Sequence, residues 1–198
     1  MFRQAAKAGD EFGAYNLGIY YQEIEHNPEK AFYWYKKSTE KGSVLGQLKL
    51  GFCYRDGLGV MQNYEEAFRW FSKAARNENT KAYVALGKLY LAGGKGVEKN
   101  LRKAYNSFRA AALKGNADAQ YFLGVMNYEG RGTDKDLKKA REWFTLSSAQ
   151  GNLIAKYSLA LIYKDGIGIS PDLQYAKKLM KKAADGGFEP AIKELKNF

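Results

Sequence analysis

One pattern recurs along this chain and leaves little freedom over what it can fold into. The stretches LGIYY (17–21), LGFCY (50–54), LGKLY (86–90), LGVMN (123–127) and LALIY (159–163) are each followed by a second pattern: EKAFYWYKKS, EEAFRWFSKA, RKAYNSFRAA, KKAREWFTLS and QYAKKLMKKA. Aligned on Gly18, Gly51, Gly87, Gly124 and Ala160, the steps are 33, 36, 37 and 36 residues. Self-similarity at a period of roughly 20–50 residues means an array of small units, each too small to bury its own apolar face.

Each unit reads as two helices. In the first, small and apolar residues fall at i, i+3, i+4 and i+7, as in Ala14, Leu17, Gly18 and Tyr21. In the second, an alanine precedes two large aromatics by three and four places: Ala31, Trp34, Tyr35; Ala67, Trp70, Phe71; Ala140, Trp143, Phe144. That spacing is one helical face, and it predicts all three tryptophans in the core. Asn27, Asn63, Asn100, Asp136 and Asp172 stand four residues before the alanine, where an N-cap oxygen accepts from free backbone amides. Pro28 suits the first helical position, and Asn63 with Glu66 resembles a capping box. Gly42, Gly115, Gly151 and Gly187, eleven residues after the alanine, read as helix stops. Only the turn between the two helices changes length. The glycine pairs Gly57/Gly59, Gly94/Gly96, Gly130/Gly132 and Gly166/Gly168 lie in it. A phosphate-binding loop would need a strand before it and Lys with Ser or Thr after it. None of the four copies has either, so the glycines read as punctuation.

The composite LGxxYxxGxGVxxDxxKAxxWxxKAAxxGxxxA resembles the Sel-one-like repeat (SLR) family, a relative of the tetratricopeptide repeat. The resemblance implies an all-α fold, a right-handed superhelical solenoid of stacked antiparallel helix pairs. It divides the chain into a half repeat at 2–12, full repeats at 13–45, 46–81, 82–118, 119–154 and 155–188, and a terminal first helix at 189–198. The departures are Asn127 for Tyr, Glu78 for Gly, Thr133 for Val, and Ser107 and Leu179 for Trp. The resemblance also implies a non-catalytic adaptor whose first helices line a concave, partner-binding groove. Carried over position by position, that face holds Tyr15, Ile19 and Gln22; Leu48, Phe52 and Arg55; and Val84, Lys88 and Leu91. It continues with Tyr121, Val125 and Tyr128, then Tyr157, Leu161 and Lys164. Aromatic anchors beside Arg55, Lys88 and Lys164 suit an acidic protein or peptide. The family further implies two more specific roles as alternatives, toxin neutralisation (immunity) and host interaction, both in bacteria.

Charge opens another alternative. The net charge is +11, yet residues 1–66 hold 8 basic and 9 acidic side chains, so the excess belongs to the remainder. Lys135, Lys138, Lys139, Arg141, Lys177, Lys178, Lys181 and Lys182 are expected on the outer face of second helices; such a face is usually a solvated one, so a protein partner is expected ahead of nucleic acid, which stands as the alternative. Chemistry finds little material. His26 is the only histidine and Cys53 the only cysteine, in different repeats, and Glu65-Glu66 sits where a helix start explains it. The expectation is therefore no catalytic residue, no cofactor, no metal and no small-molecule substrate. No window is apolar enough to span a membrane, and MFRQAAKAGDEFGAY lacks a continuous apolar stretch after its charges. As written the chain reads as cytoplasmic, with a periplasmic or secreted location if an N-terminal segment is missing.

Overall fold

The computed structural model describes residues 11–196, and the backbone is helical throughout except for turns. In order the helices are α1 (Glu11–Glu23), α2 (Pro28–Glu40), α3 (Val44–Asp56), α4 (Tyr64–Arg76), α5 (Thr80–Ala92), α6 (Leu101–Leu113), α7 (Ala117–Glu129), α8 (Leu137–Ala149), α9 (Leu153–Asp165), α10 (Leu173–Asp185) and α11 (Glu189–Leu195). Among the described residues the only β-type pairing is one isolated bridge, Gly94–Val97. The half repeat expected at 2–12 lies outside the described residues, except for Glu11 and Phe12, which already belong to α1.

The chain forms two compact units, one reaching Asn100 and one starting at Leu101. The first holds α1–α5, and the second α6–α11. The boundary falls inside the third repeat, between its two helices. Within each unit every helix packs on the next in sequence, the pattern of antiparallel hairpins with short connections.

The caps expected at Asn27, Asn63, Asp136 and Asp172 are formed. Backbone N–H groups of Lys30, Glu66, Lys139 and Tyr175 donate to the side chains of Asn27, Asn63, Asp136 and Asp172 at 2.9–3.0 Å. Of the anticipated capping box only this half exists, because the Glu66 carboxylate accepts from Arg69 instead. The sequence reading missed a second series, Ser43, Asn79, Asn116 and Asn152, which cap the first helices in the same way. A further bond explains why turn length can vary. The backbone N–H of each second-helix cap residue donates to a carbonyl near the end of the preceding first helix. The five pairs are Asn27–Tyr21, Asn63–Tyr54, Asn100–Tyr90, Asp136–Asn127 and Asp172–Tyr163, all at 2.8 Å. However long the turn, the chain re-enters the next helix at one fixed point.

The helix pairs close on an aromatic ring. A Cβ built at Gly18, Gly51 or Gly124 would lie 2.4, 2.5 or 2.6 Å from the ring of Tyr35, Phe71 or Phe144. The ring therefore rests on bare helix backbone, and all three rings are buried. The fifth pair makes a different fit. Ala160 carries the Cβ, and its counterpart is Met180, unbranched and able to bend around it. Trp34, Trp70 and Trp143 are not core residues but half-buried. Four residues from the alanine keeps the second aromatic on the buried stripe, whereas three residues places the tryptophan at its edge.

The glycine pairs do more than punctuate. Gly57, Gly130 and Gly166 are left-handed caps whose N–H groups bond to Cys53, Met126 and Ile162. The second glycines lie against the preceding second helix: a Cβ on Gly59 would stand 2.1 Å from the Pro28 carbonyl oxygen, and one on Gly132 2.3 Å from that of Leu101. The turn thus joins one repeat to the next by backbone contact.

Two outcomes follow for stability, both readable from denaturant unfolding. Gly124→Ala should cost about 1–3 kcal/mol by overpacking, and adding Phe144→Met should recover about 1 kcal/mol or more relative to the sum of the single changes. Glu78, where other repeats carry glycine, has φ +60 in the left-handed region. Glu78→Gly should therefore stabilise the protein by about 1 kcal/mol.

Candidate functional site

The first helices hold the side chains expected at an interaction face, but the structure sorts them into three groups. Leu48 and Val84 are 5% and 7% exposed and belong to the core, a correction to their expected place on the surface. They are the aliphatic residues at a position that holds tyrosine in the other repeats, and Leu48 lies in the cluster around Phe71. The tyrosines at the equivalent positions, Tyr15, Tyr121 and Tyr157, are half-buried. Their rings lean on Tyr35, Phe144 and Phe188, with centroids 6.1, 5.9 and 5.4 Å apart.

The cations form the second group. The Arg55 guanidinium donates two hydrogen bonds to the Asp56 carboxylate, at 2.7 and 2.6 Å, and lies 4.7 Å from the centre of the Phe52 ring. Lys164 is bonded to Glu194 of α11, and that hydrogen bond raises its pKa above the usual lysine range. Lys88 is exposed. Arg55 and Lys164, expected to face a partner, are thus already matched within the chain.

The third group lines clefts. In the second unit a cavity of about 270 Å³ opens between α7 and α9. It gathers Tyr121, Val125 and Tyr128 from α7 with Leu161 from α9, four of the expected residues. Phe144 and Ile162 close its floor, Ile167 of the glycine turn forms one wall, and Glu129 and Ser158 stand among the lining. Burial, and secondarily the Glu129 charge, raise the pKa of Tyr121. Two adjoining clefts of about 290 and 300 Å³ occupy the matching position in the first unit, between α1 and α3. They share Gln22, Cys53 and Leu58. One adds Lys49, Phe52, Arg55 and Asp56, and the other His26, Pro28 and Ala31. Gln22 is fixed there by accepting a 2.7 Å hydrogen bond from the Tyr35 hydroxyl. Ile19, Lys88, Leu91, Tyr157 and Lys164 line none of these three clefts.

Sequence reasoning missed Leu58 and Ile167, the middle residues of two glycine pairs. Each is held between a left-handed cap and a glycine pressed on the preceding helix, so its side chain turns into the cleft. The available signal was that Leu58 and Ile167 are apolar where the other two copies have Lys95 and Arg131.

His26 and Cys53, far apart in sequence, both line one cleft. That setting does not activate the thiol. Cys53 is 4% exposed, and burial pushes it up to about 11, against a smaller lowering by Lys49. A nucleophilic cysteine needs the opposite shift. Among the described residues no three His, Cys, Asp or Glu side chains are placed to hold a metal ion.

A family model described as the Sel1 repeat matches five consecutive segments: 12–43, 44–79, 80–116, 117–152 and 153–188. A solved protective antigen of uropathogenic Escherichia coli, displaying an SLR fold, superposes on 98% of this chain with a TM-score of 0.86 and 30% identity; the match covers 42% of the antigen. A Sel1 repeat protein from Oxalobacter formigenes superposes on 95% with a TM-score of 0.89 and 31% identity, over 78% of that protein. Chitin synthase regulatory factor 3 of Schizosaccharomyces pombe is 35% identical over 109 residues, which is 54% of this chain and 12% of that much longer protein.

The raised Cys53 pKa gives a direct test. Near pH 8 the folded protein should react with iodoacetamide about a hundredfold more slowly than an ordinary thiol, and unfolding in urea should restore the normal rate. Rapid labelling of the folded protein would contradict the burial described here.

Proposed function

The chain belongs to the Sel1 repeat family, and we propose that it is an interaction scaffold that holds a protein partner on the first-helix side of its repeats. Members of the family generally serve as protein-interaction scaffolds and are typically non-catalytic. The supporting observation is the cleft of the second unit, whose walls are Tyr121, Val125, Tyr128, Leu161 and Ile167. A recess with aromatic and aliphatic walls keeps apolar surface in water, and covering it with a partner's apolar side chain releases that water. Tyrosines suit such a role, since they offer large rigid contact area at small entropic cost.

The partner's acidic character rests on the net charge of +11. Arg55 and Lys164 add little, because Asp56 and Glu194 already neutralise them. In this reading the long-range field speeds encounter, and the apolar cleft holds the complex together.

The test is a comparative capture from lysate of the source organism, using the wild-type chain and a Tyr128→Ser, Leu161→Glu variant whose helicity is checked first. The true partner should be retained by the wild type and weakened about thirtyfold or more by the variant, the scale of losing a central anchor. Added salt should slow its association while leaving dissociation nearly unchanged. A partner held equally by both chains would remove the cleft from the proposal.

A further inference from the structure

The second unit carries a charged surface that the cleft does not use. Its second helices, α6, α8 and α10, hold ten Lys and Arg against two carboxylates, Glu142 and Asp185. The second helices of the first unit, α2 and α4, hold six against four, and ion pairs join Lys37 to Glu40 and Arg69 to Glu65 and Glu66. On α10 the distribution is extreme. Lys177, Lys178, Lys181 and Lys182 are all exposed and make no ion pair among the described residues. Lys135, by contrast, belongs to the turn before α8, with its ammonium 5.8 Å from the centre of the Tyr128 ring. Lys139 is matched to Asp136 at 3.0 Å.

Exposed cations stand on all three of these second helices. Arg102 on α6 and Lys138 on α8 occupy equivalent helical positions, as do Arg109 on α6 and Lys181 on α10. Exposed cations spread over three helices complement an extended polyanion. An anionic membrane fits less well. A helix lying in a lipid interface presents an apolar face to the acyl chains, but that face of α10, formed by Ala176, Leu179, Met180 and Ala183, is buried in the repeat core. We infer that the outer face of α6, α8 and α10 binds the phosphodiester backbone of a nucleic acid. Lysine contacts to phosphate position the polymer without reading bases, so the binding is independent of sequence.

A fluorescein-labelled DNA duplex of mixed sequence is the probe, with fluorescence anisotropy read over a salt series. Two variants of equal net charge are compared, both confirmed as helical: K177Q/K178Q/K181Q/K182Q on α10, and K30Q/K36Q/K41Q/K73Q in the first unit. The α10 variant should weaken binding about tenfold or more at low salt and reduce the slope of log Kd against log salt by about 3.6, as expected for four lost phosphate contacts on a duplex. The first-unit variant should change Kd less than about threefold. Equal loss in the two variants would overturn the inference, since net charge alone would then explain binding. So would no wild-type binding at low salt. Binding to phosphatidylserine vesicles that the α10 variant loses, without DNA binding, would assign the surface to a membrane instead.

Discussion

The helix pairs of this protein depend on rings lying where a side chain would otherwise be. At Gly18, Gly51 and Gly124 a first helix offers bare backbone to Tyr35, Phe71 or Phe144 of its partner. That contact fixes how closely the two helices approach and how each is rotated about its axis. Once the rotation is set, residues flanking the glycine have no choice of direction. Leu17, Leu50 and Leu123 turn inward, while Gln22 and Tyr128, four residues beyond the glycine, reach the clefts. The fifth pair shows that geometry matters more than residue type. Ala160 with Met180 satisfies the same approach by giving the inserted side chain flexibility instead of giving the backbone room.

A second constraint acts between repeats. The cap residue of every second helix returns its backbone N–H to the preceding first helix at the same length, 2.8 Å, across turns of different size. Beside it the second glycine presses on the first turn of the helix before. Together they turn a variable loop into a fixed joint, which is why an apolar residue between the glycines can serve as cleft wall. The two units use this joint alike and fill the resulting clefts differently: Lys49, Arg55 and Asp56 in one, Tyr121, Tyr128 and Ile167 in the other. The same register therefore carries different side chains in the two units.

The charge is also divided by surface. Two cations on the first helices have found carboxylates, Arg55 in Asp56 and Lys164 in Glu194. Those on α10 have none, because its only acid, Asp185, ends the helix. Cleft and basic face therefore present different chemistry on different helices, and each can be removed by substitution without touching the other.

Much of this was legible in the linear chain. The period and the second-helix caps are local rules written five times over, the ring stripe and the glycine stops four times, and repetition makes each copy a check on the others. That was enough to fix an all-helical array, its register and its family. The tryptophans were misjudged because residues three and four places from an alanine are nearly equivalent by periodicity, and only the close-packed partner decides which is central. Leu48 and Val84 were misplaced for the same reason, as burial depends on what the neighbouring helix leaves open. The sequence by itself determined which residues share a helical face. Tertiary structure alone decided which of those faces is filled, which charges find partners, and where Leu58 and Ile167 point, because these follow from distances between helices that no spacing along a single chain can express.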